Sequence, residues 1–188
     1  MTVRRSRRAA AACLLTAAVC GWWLSPSAGG ASAEEQGSDL AKVNDFLYQL
    51  QGLEPDAVRR TRFDLLVMDR SRDGSDEEAW SAAEVESLRE KAGVGRRIML
   101  CYLSIGEAED YRGYWKPEWK KEQPEWLGPE NPDWKGNFKV KFWDRDWRRL
   151  VLGGPEAMLD RILAAGFDGV YLDIIDAFEY WEEKGVPD

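Results

Sequence analysis

The 188-residue sequence contains no histidine. That excludes Ser–His–Asp and Cys–His nucleophile systems, and His-ligated zinc with them. Cysteine is nearly as scarce. Cys13 and Cys20 lie in an N-terminal stretch that reads as removable, which leaves Cys101 alone and rules out an intramolecular disulfide in the mature chain. Cys101 sits inside an apolar run, which suits a buried, unreactive thiol. No glycine-rich phosphate loop follows the first apolar run, so nucleotide binding loses its usual support. No twelve-residue calcium loop is present either. Neither a cofactor nor a metal ion is therefore expected. With 34 Asp and Glu residues in the chain, acid–base chemistry falls to carboxylates.

Residues 1–33 have the layout of an export signal. Arg4, Arg5, Arg7 and Arg8 form a basic start, residues 9–24 are apolar, and Ala31-Ser32-Ala33 supplies the small-x-small pattern of a cleavage site. The apolar run is short for a bilayer span, so a secreted or extracytoplasmic protein without stable membrane insertion is expected. Lipidation at Cys20 is disfavoured by the bulky Val19 before it. Loss of the four leader arginines from 26 basic residues leaves 22 against 34 acids, a net charge of −12 instead of −8. Such a chain has nothing to neutralise phosphates, which argues against nucleic acid and anionic membranes as partners. It suits a neutral or cationic partner. Nothing in the sequence specifies an oligomeric state.

Residues 34–39 read as a linker, and residues 40–188 alternate between apolar runs and helical periodicity. Strands are predicted at 46–50, 64–69, 97–105, 138–143 and 169–173. Helices are predicted at 55–60, from Ser75 or Asp76 to Lys91 with Gly93 or Gly95 as the stop, and at 147–165 with an interruption at Gly153-Gly154-Pro155, after which Pro155 opens the main part. A last helix is predicted at 177–184, and residues 111–137 read as a long irregular stretch. The alternation is that of a parallel α/β sheet. A whole (β/α)8 barrel needs about 250 residues, so the expectation is the front part of a barrel, about five βα units.

Four of the five predicted strands run into acids at their C-terminal ends, the face on which parallel α/β folds build active sites. These are Asp69, then Glu107 and Glu109, then Asp144, then Asp173 with Asp176 a step further. Asp144 and Asp176 fit helix caps as well as they fit a site. Asp173 is different, because Val170-Tyr171-Leu172 before it and Ile174-Ile175 after it are apolar, and a carboxylate there is costly to bury without a partner or a task. Glu107 follows Gly106, which lets the backbone turn and aim the side chain into a cleft. Six tryptophans, Trp115, Trp119, Trp126, Trp134, Trp143 and Trp147, fall within 33 residues. Flat aromatic rings stack on sugar rings, and they also pack loops. Trp115 and Trp143, nearest the predicted strand ends, are the better sugar-binding candidates. Two carboxylates flanking a glycosidic bond are a complete hydrolytic device. Binding of carbohydrate without catalysis, and hydrolysis assisted by a carboxylate-held metal, are the alternatives.

Several segments together resemble one family. They are Tyr48-Gln49-Leu50-Gln51, Leu66-Val67-Met68-Asp69, residues 102–109 with Tyr111-Arg112, Phe142-Trp143-Asp144, and Gly166 through Asp173. They are similar, in identity and order, to the endo-α-1,4-polygalactosaminidase-like glycoside hydrolases, family 114. The resemblance implies a TIM-type barrel, a galactosamine-containing α-1,4-linked polysaccharide as substrate, and Asp173 as a catalytic carboxylate. It implies that Tyr48, Asp69, Tyr102 and Glu109 lie in the substrate site. It places the second catalytic acid, a Glu, on a later strand beyond Asp188, with Glu107 as the candidate inside this chain. Exported from a bacterial host, the mature protein is expected to begin at Glu34 on N-terminal sequencing. A secreted chain that retains residues 1–33 would contradict the leader reading.

Overall fold

Apolar runs without alternation make strands that are covered on both faces, and they pair in parallel. The computed structural model describes residues 40–186 apart from Val94, so the predicted leader and linker lie outside the described residues. Four strands form the main sheet: β1 (Phe46–Tyr48), β2 (Leu65–Met68), β3 (Ile98–Ser104) and β7 (Gly169–Asp173). Their order is β1-β2-β3-β7 and every pairing is parallel. Among the described residues β1 and β7 are the outer strands.

The register sorts the side chains into two faces. Leu47, Leu66, Met68, Met99, Cys101 and Leu103 face the helices and share one core with Val58, Val85, Leu88, Ile162 and Phe167. Those residues belong to, or follow, helices α1 (Pro55–Arg59), α2 (Ala82–Leu88) and α4 (Met158–Ala164). The buried Cys101 is a free thiol within that core, as its apolar setting implied. The other face carries Phe46, Leu65 and Ile98 in one row and Tyr48, Val67, Leu100 and Gly169 in the next. Leu40 and Val43 pack against this second cluster.

The sheet is strongly curved toward that second face. Tyr48 on β1 and Tyr171 on β7 meet edge to face, with ring centroids 5.4 Å apart. Two strands lie between them, and in a flat sheet β1 and β7 would be roughly 14 Å apart, three spacings of about 4.8 Å. A sheet curled until its outer strands touch across the concave face, with helices on the convex face, is part of a (β/α)8 barrel wall.

The fourth predicted strand belongs elsewhere. β6 (Asn137–Val140) lies in a separate antiparallel sheet of order β4-β6-β5, with β4 (Glu107–Glu109) and β5 (Leu127–Glu130). The parallel strands thus number four among the described residues, not five. The reason is visible in the pattern. Phe138 and Val140 are buried while Lys139 between them is not, and such alternation marks a strand covered on one side only. The small sheet and a 3-10 turn at Pro117–Lys120 organise much of the stretch expected to be irregular. Tryptophans fill the space beneath it. Trp115 lies 4.8 Å from Phe138, and Trp119, Trp126 and Trp147 follow at 5.1 to 5.4 Å from one to the next.

The helices are shorter than predicted. α2 starts after Ser81, not Ser75 or Asp76. The Ser81 hydroxyl accepts from the Glu84 N–H while the Glu84 carboxylate accepts from the Ser81 N–H, a complete capping box. Asp76 instead receives Arg70 and Arg161. The predicted helix over 147–165 is two helices, α3 (Arg145–Leu152) and α4. Asp144 caps α3 by accepting from the Asp146 N–H at 2.7 Å, so it is a cap and not a strand-end acid. Pro155 lies ahead of α4, whose cap position is Ala157. α5 (Ala177–Glu183) follows β7 closely. Among the described residues, no helix is long and apolar enough to cross a membrane.

Candidate active site

The parallel strands deliver their C-terminal side chains to one end of the concave face. Asp69 follows β2 directly. Tyr102 and Ser104 lie on β3, level with Tyr171 and Asp173 on β7. Tyr48 ends β1. The register alone therefore gathers residues more than 120 positions apart in the chain.

Arg112 ties most of them together. Its Nη1 and Nη2 donate to Asp69 Oδ1 and Oδ2, both at 2.7 Å, and its Nε donates to Glu109 Oε2 at 2.6 Å. Asp69 Oδ1 also accepts from the Ser71 N–H at 3.0 Å. The other Glu109 oxygen accepts from the Tyr111 hydroxyl at 2.6 Å, and the Glu109 N–H donates to the Tyr114 hydroxyl at 2.8 Å. Both acids are buried. Burial opposes the charge on Arg112, but the hydrogen bonds it donates to Asp69 and the nearby charge of Glu109 outweigh it and hold the guanidinium more firmly protonated than usual. A bidentate fork on one carboxylate and a third donor on another is an arrangement that lysine cannot copy.

Asp173 stands outside this ion-paired group. Its Oδ2 accepts from the Tyr102 hydroxyl at 2.9 Å. Among the described residues it forms no salt bridge, and it is only half-buried. Three carboxylates against one guanidinium leave the strand ends negative. The neighbouring tyrosines respond accordingly. Burial, and then the charge of Asp173, push the Tyr48 hydroxyl up to about 12. Burial and then Glu109 push Tyr102 and Tyr111 higher as well. Tyr102 and Tyr111 donate their hydroxyl protons to Asp173 and Glu109.

The backbone just past Asp173 is strained. Ile174 has φ 56°, the left-handed region, which a β-branched residue adopts at a cost of about 1–3 kcal/mol. Gly106 permits it, because a Cβ there would come within 2.3 Å of the Ile174 carbonyl oxygen and 2.4 Å of Ala177 Cβ. The role of Gly106 is thus close approach to the end of β7.

Of the predicted site residues, the structure brings together Tyr48, Asp69, Tyr102, Glu109 and Asp173. Glu107 has its own surroundings. It is 1 % exposed rather than open to a cleft. Its Oε1 accepts from Lys139 Nζ at 2.5 Å and Asn131 Nδ2 at 2.8 Å, and its Oε2 from Asn137 Nδ2 at 3.3 Å. Trp115 is packed into the aromatic core of the small sheet. Trp143 stacks edge-on against Phe142 and Trp181. Asp176 is exposed at the cap position of α5 without a side-chain cap bond. Arg112 and Tyr111, which the sequence offers only as part of the family-like segment, join the site; the three-residue step from Glu109 to Arg112 is a familiar ion-pair spacing. A cavity of about 220 Å³ lies behind Arg112, lined also by Arg70, Arg161, Met158 and Ile162. Asp173 does not line it, so it is not where Asp173 would react. Among the described residues no three His, Cys, Asp or Glu side chains are grouped to hold a metal ion.

The pattern that defines glycoside-hydrolase family GH114 matches residues 27–186. The uncharacterized protein MJ1477 of Methanocaldococcus jannaschii is 47 % identical over 140 residues, covering 74 % of this chain and 38 % of its own. An uncharacterized protein of Thermotoga maritima is 43 % identical over 143 residues, covering 76 % and 42 %. The chain thus spans about two fifths of the length of the curated relatives it matches. The glycoside hydrolase domain of PelA from Pseudomonas aeruginosa superposes with a TM-score of 0.50 at 19 % identity, over 74 % of this chain and 48 % of that domain. That likeness concerns the fold.

Arg112→Met removes the partner of two buried carboxylates and is expected to destabilise the protein by about 3–5 kcal/mol, read from urea unfolding. A loss below about 1 kcal/mol would show that Arg112 does not hold these loops.

Proposed function

Because the chain belongs to glycoside-hydrolase family GH114, we propose that it carries one catalytic carboxylate, Asp173, of an exported glycosidase that cleaves an α-1,4-linked galactosamine-containing polysaccharide. One observation carries the assignment of Asp173. It is the strand-end acid of the cluster left without an ion pair, while Asp69 and Glu109 are held by Arg112. A carboxylate locked in a bidentate pair cannot approach an anomeric carbon or a water without first losing that partner. Asp173 is fixed at one oxygen by Tyr102, and its Oδ1 accepts no hydrogen bond among the described residues.

The reaction needs two carboxyl groups. One protonates the departing glycosidic oxygen, and the other attacks the anomeric carbon or takes a proton from the attacking water. Asp173 fits the second role, since the Tyr102 hydroxyl orients it and the concave face of the sheet shields one side. Glu107 is the candidate for the acid within this chain, and it would act only by exchanging part of its contact with Lys139, Asn131 and Asn137. The mature net charge of −12 and the excess of carboxylate over guanidinium at the strand ends favour a polymer with free amino groups. The leader-like residues 1–33 support export, which brings the enzyme to such a polymer.

Asp173→Asn keeps size and shape, so the fold and thermal midpoint should be unchanged. Release of reducing ends from α-1,4-galactosamine polymer should fall by about 10²- to 10⁴-fold. Hydrolysis near the parent rate in the Asn variant would sink the assignment. Glu107→Gln should give a comparable loss if Glu107 is the second acid; a small effect assigns the acid elsewhere.

A further inference from the structure

We propose that Tyr111 is a sugar-stacking platform at the rim of the strand-end acid cluster, a specificity residue of the same site. This rests on the glycosidase reading and adds a subsite to it. The tryptophans that suggested sugar binding are largely committed to packing: Trp126 and Trp147 are buried, and Trp115 and Trp119 lie against them and Phe138. Trp134 is exposed but stands in the turn between β5 and β6. Tyr111 is an exposed aromatic ring, 44 % accessible, whose polar end is anchored in the strand-end acids.

Its geometry is that of a fixed surface. The hydroxyl donates to Glu109 at 2.6 Å. The ring edge lies against Gly74, where a Cβ would come within 2.4 Å of Tyr111 Cδ2. Gly74 also has φ +94°, so two independent constraints keep that position a glycine. The Arg112 guanidinium carbon lies over one face of the ring, 5.1 Å from its centre, so the opposite face is the one offered to a ligand. A large side chain held at its tip, its edge and one face, yet still exposed to solvent, loses little freedom when a ligand arrives. An aromatic face of that kind offers the C–H face of a pyranose ring an apolar surface, with polar donors at its border to meet the hydroxyls. A chain of contacts links it to the reacting group: Tyr111 to Glu109, Glu109 to Arg112, Arg112 to within 5.9 Å of the Tyr102 ring centre, and the Tyr102 hydroxyl to Asp173.

The test is binding of a defined α-1,4-linked galactosamine oligosaccharide, by titration calorimetry, to the Asp173→Asn protein carrying a second substitution. Tyr111→Phe keeps the ring and should bind within about twofold of the parent. Tyr111→Ala and Tyr111→Leu remove the flat face and should each bind about tenfold more weakly. Leu retains apolar volume against Gly74, so it serves if Ala fails to fold. Equal weakening by Phe, Leu and Ala would overturn the proposal and assign Tyr111 to anchoring Glu109. Unchanged affinity in the Leu variant, or no binding by the Asp173→Asn protein itself, would overturn it too. Reducing-end release by the unsubstituted protein separates the two claims. If none is released while the Phe and Leu variants differ as expected, the platform stands and the hydrolytic reading fails.

Discussion

The C-terminal end of the described sheet depends on Arg112. A guanidinium placed between two buried carboxylates costs desolvation on all three groups, and such pairs are poor sources of net stability against an apolar replacement. What the arrangement supplies is definition. Arg112 belongs to the segment after β4, Asp69 to the end of β2, and Glu109 to β4 itself. Two pieces of chain, the end of β2 and the segment 109–112, are thereby fixed to one another at the place where the parallel strands end. Asp76 does the same further out, receiving Arg70 from its own loop and Arg161 from α4, with Gly113 leaving the room its carboxylate needs. Remove the guanidinium and two negative charges face each other in a poorly solvated space.

This lock also divides the acids by task. Asp69 and Glu109 are spent on structure and on the local field. Asp173 keeps a free oxygen, a single tyrosine donor and partial contact with solvent. The left-handed turn at Ile174 and the close approach of Gly106 are the local cost of placing that carboxylate at the rim. Backbone strain of this kind persists where surrounding packing over-determines it, and it concentrates at functional positions. The chain belongs to a glycoside-hydrolase family, and attack by Asp173 on a glycosidic bond, in a polymer suited to negative surroundings, is the function proposed for it.

Much of the fold was legible in the sequence. Leu65–Met68 and Ile98–Ser104 are continuous apolar runs, and they are the central strands. Asp173 stands out in the sequence as an acid in an apolar stretch, but the structure leaves it half-buried between the exposed Tyr171 and Ile175, so the apolar setting misstated its burial. The strand at Phe138 to Val140 was legible as a strand but not as a member of another sheet. Its alternation with Lys139 carried that information, and the run of βα units around it masked it. The helix start at Ser81 was missed because Ser75 and Asp76 also satisfy cap chemistry, and only tertiary pairing of Asp76 with two arginines decides between them. The Asp69–Arg112 pair spans 43 residues, and no local pattern announces a partner at that distance. The tryptophan-rich stretch reads as a binding surface because aromatic rings serve both uses. Here a small antiparallel sheet with few aliphatic residues needs them as its core.

In the proposed function, Arg112 keeps Asp69 and Glu109 occupied and Asp173 alone is presented to the sugar. A crystal structure of the Asp173→Asn protein with an α-1,4-linked galactosamine oligosaccharide tests it most directly. The expected result is a sugar ring at the C-terminal end of the parallel strands, with a glycosidic linkage beside residue 173 and the Arg112 contacts to Asp69 and Glu109 unchanged. A sugar bound away from residue 173, or Arg112 released from both carboxylates to hold the ligand, would contradict it.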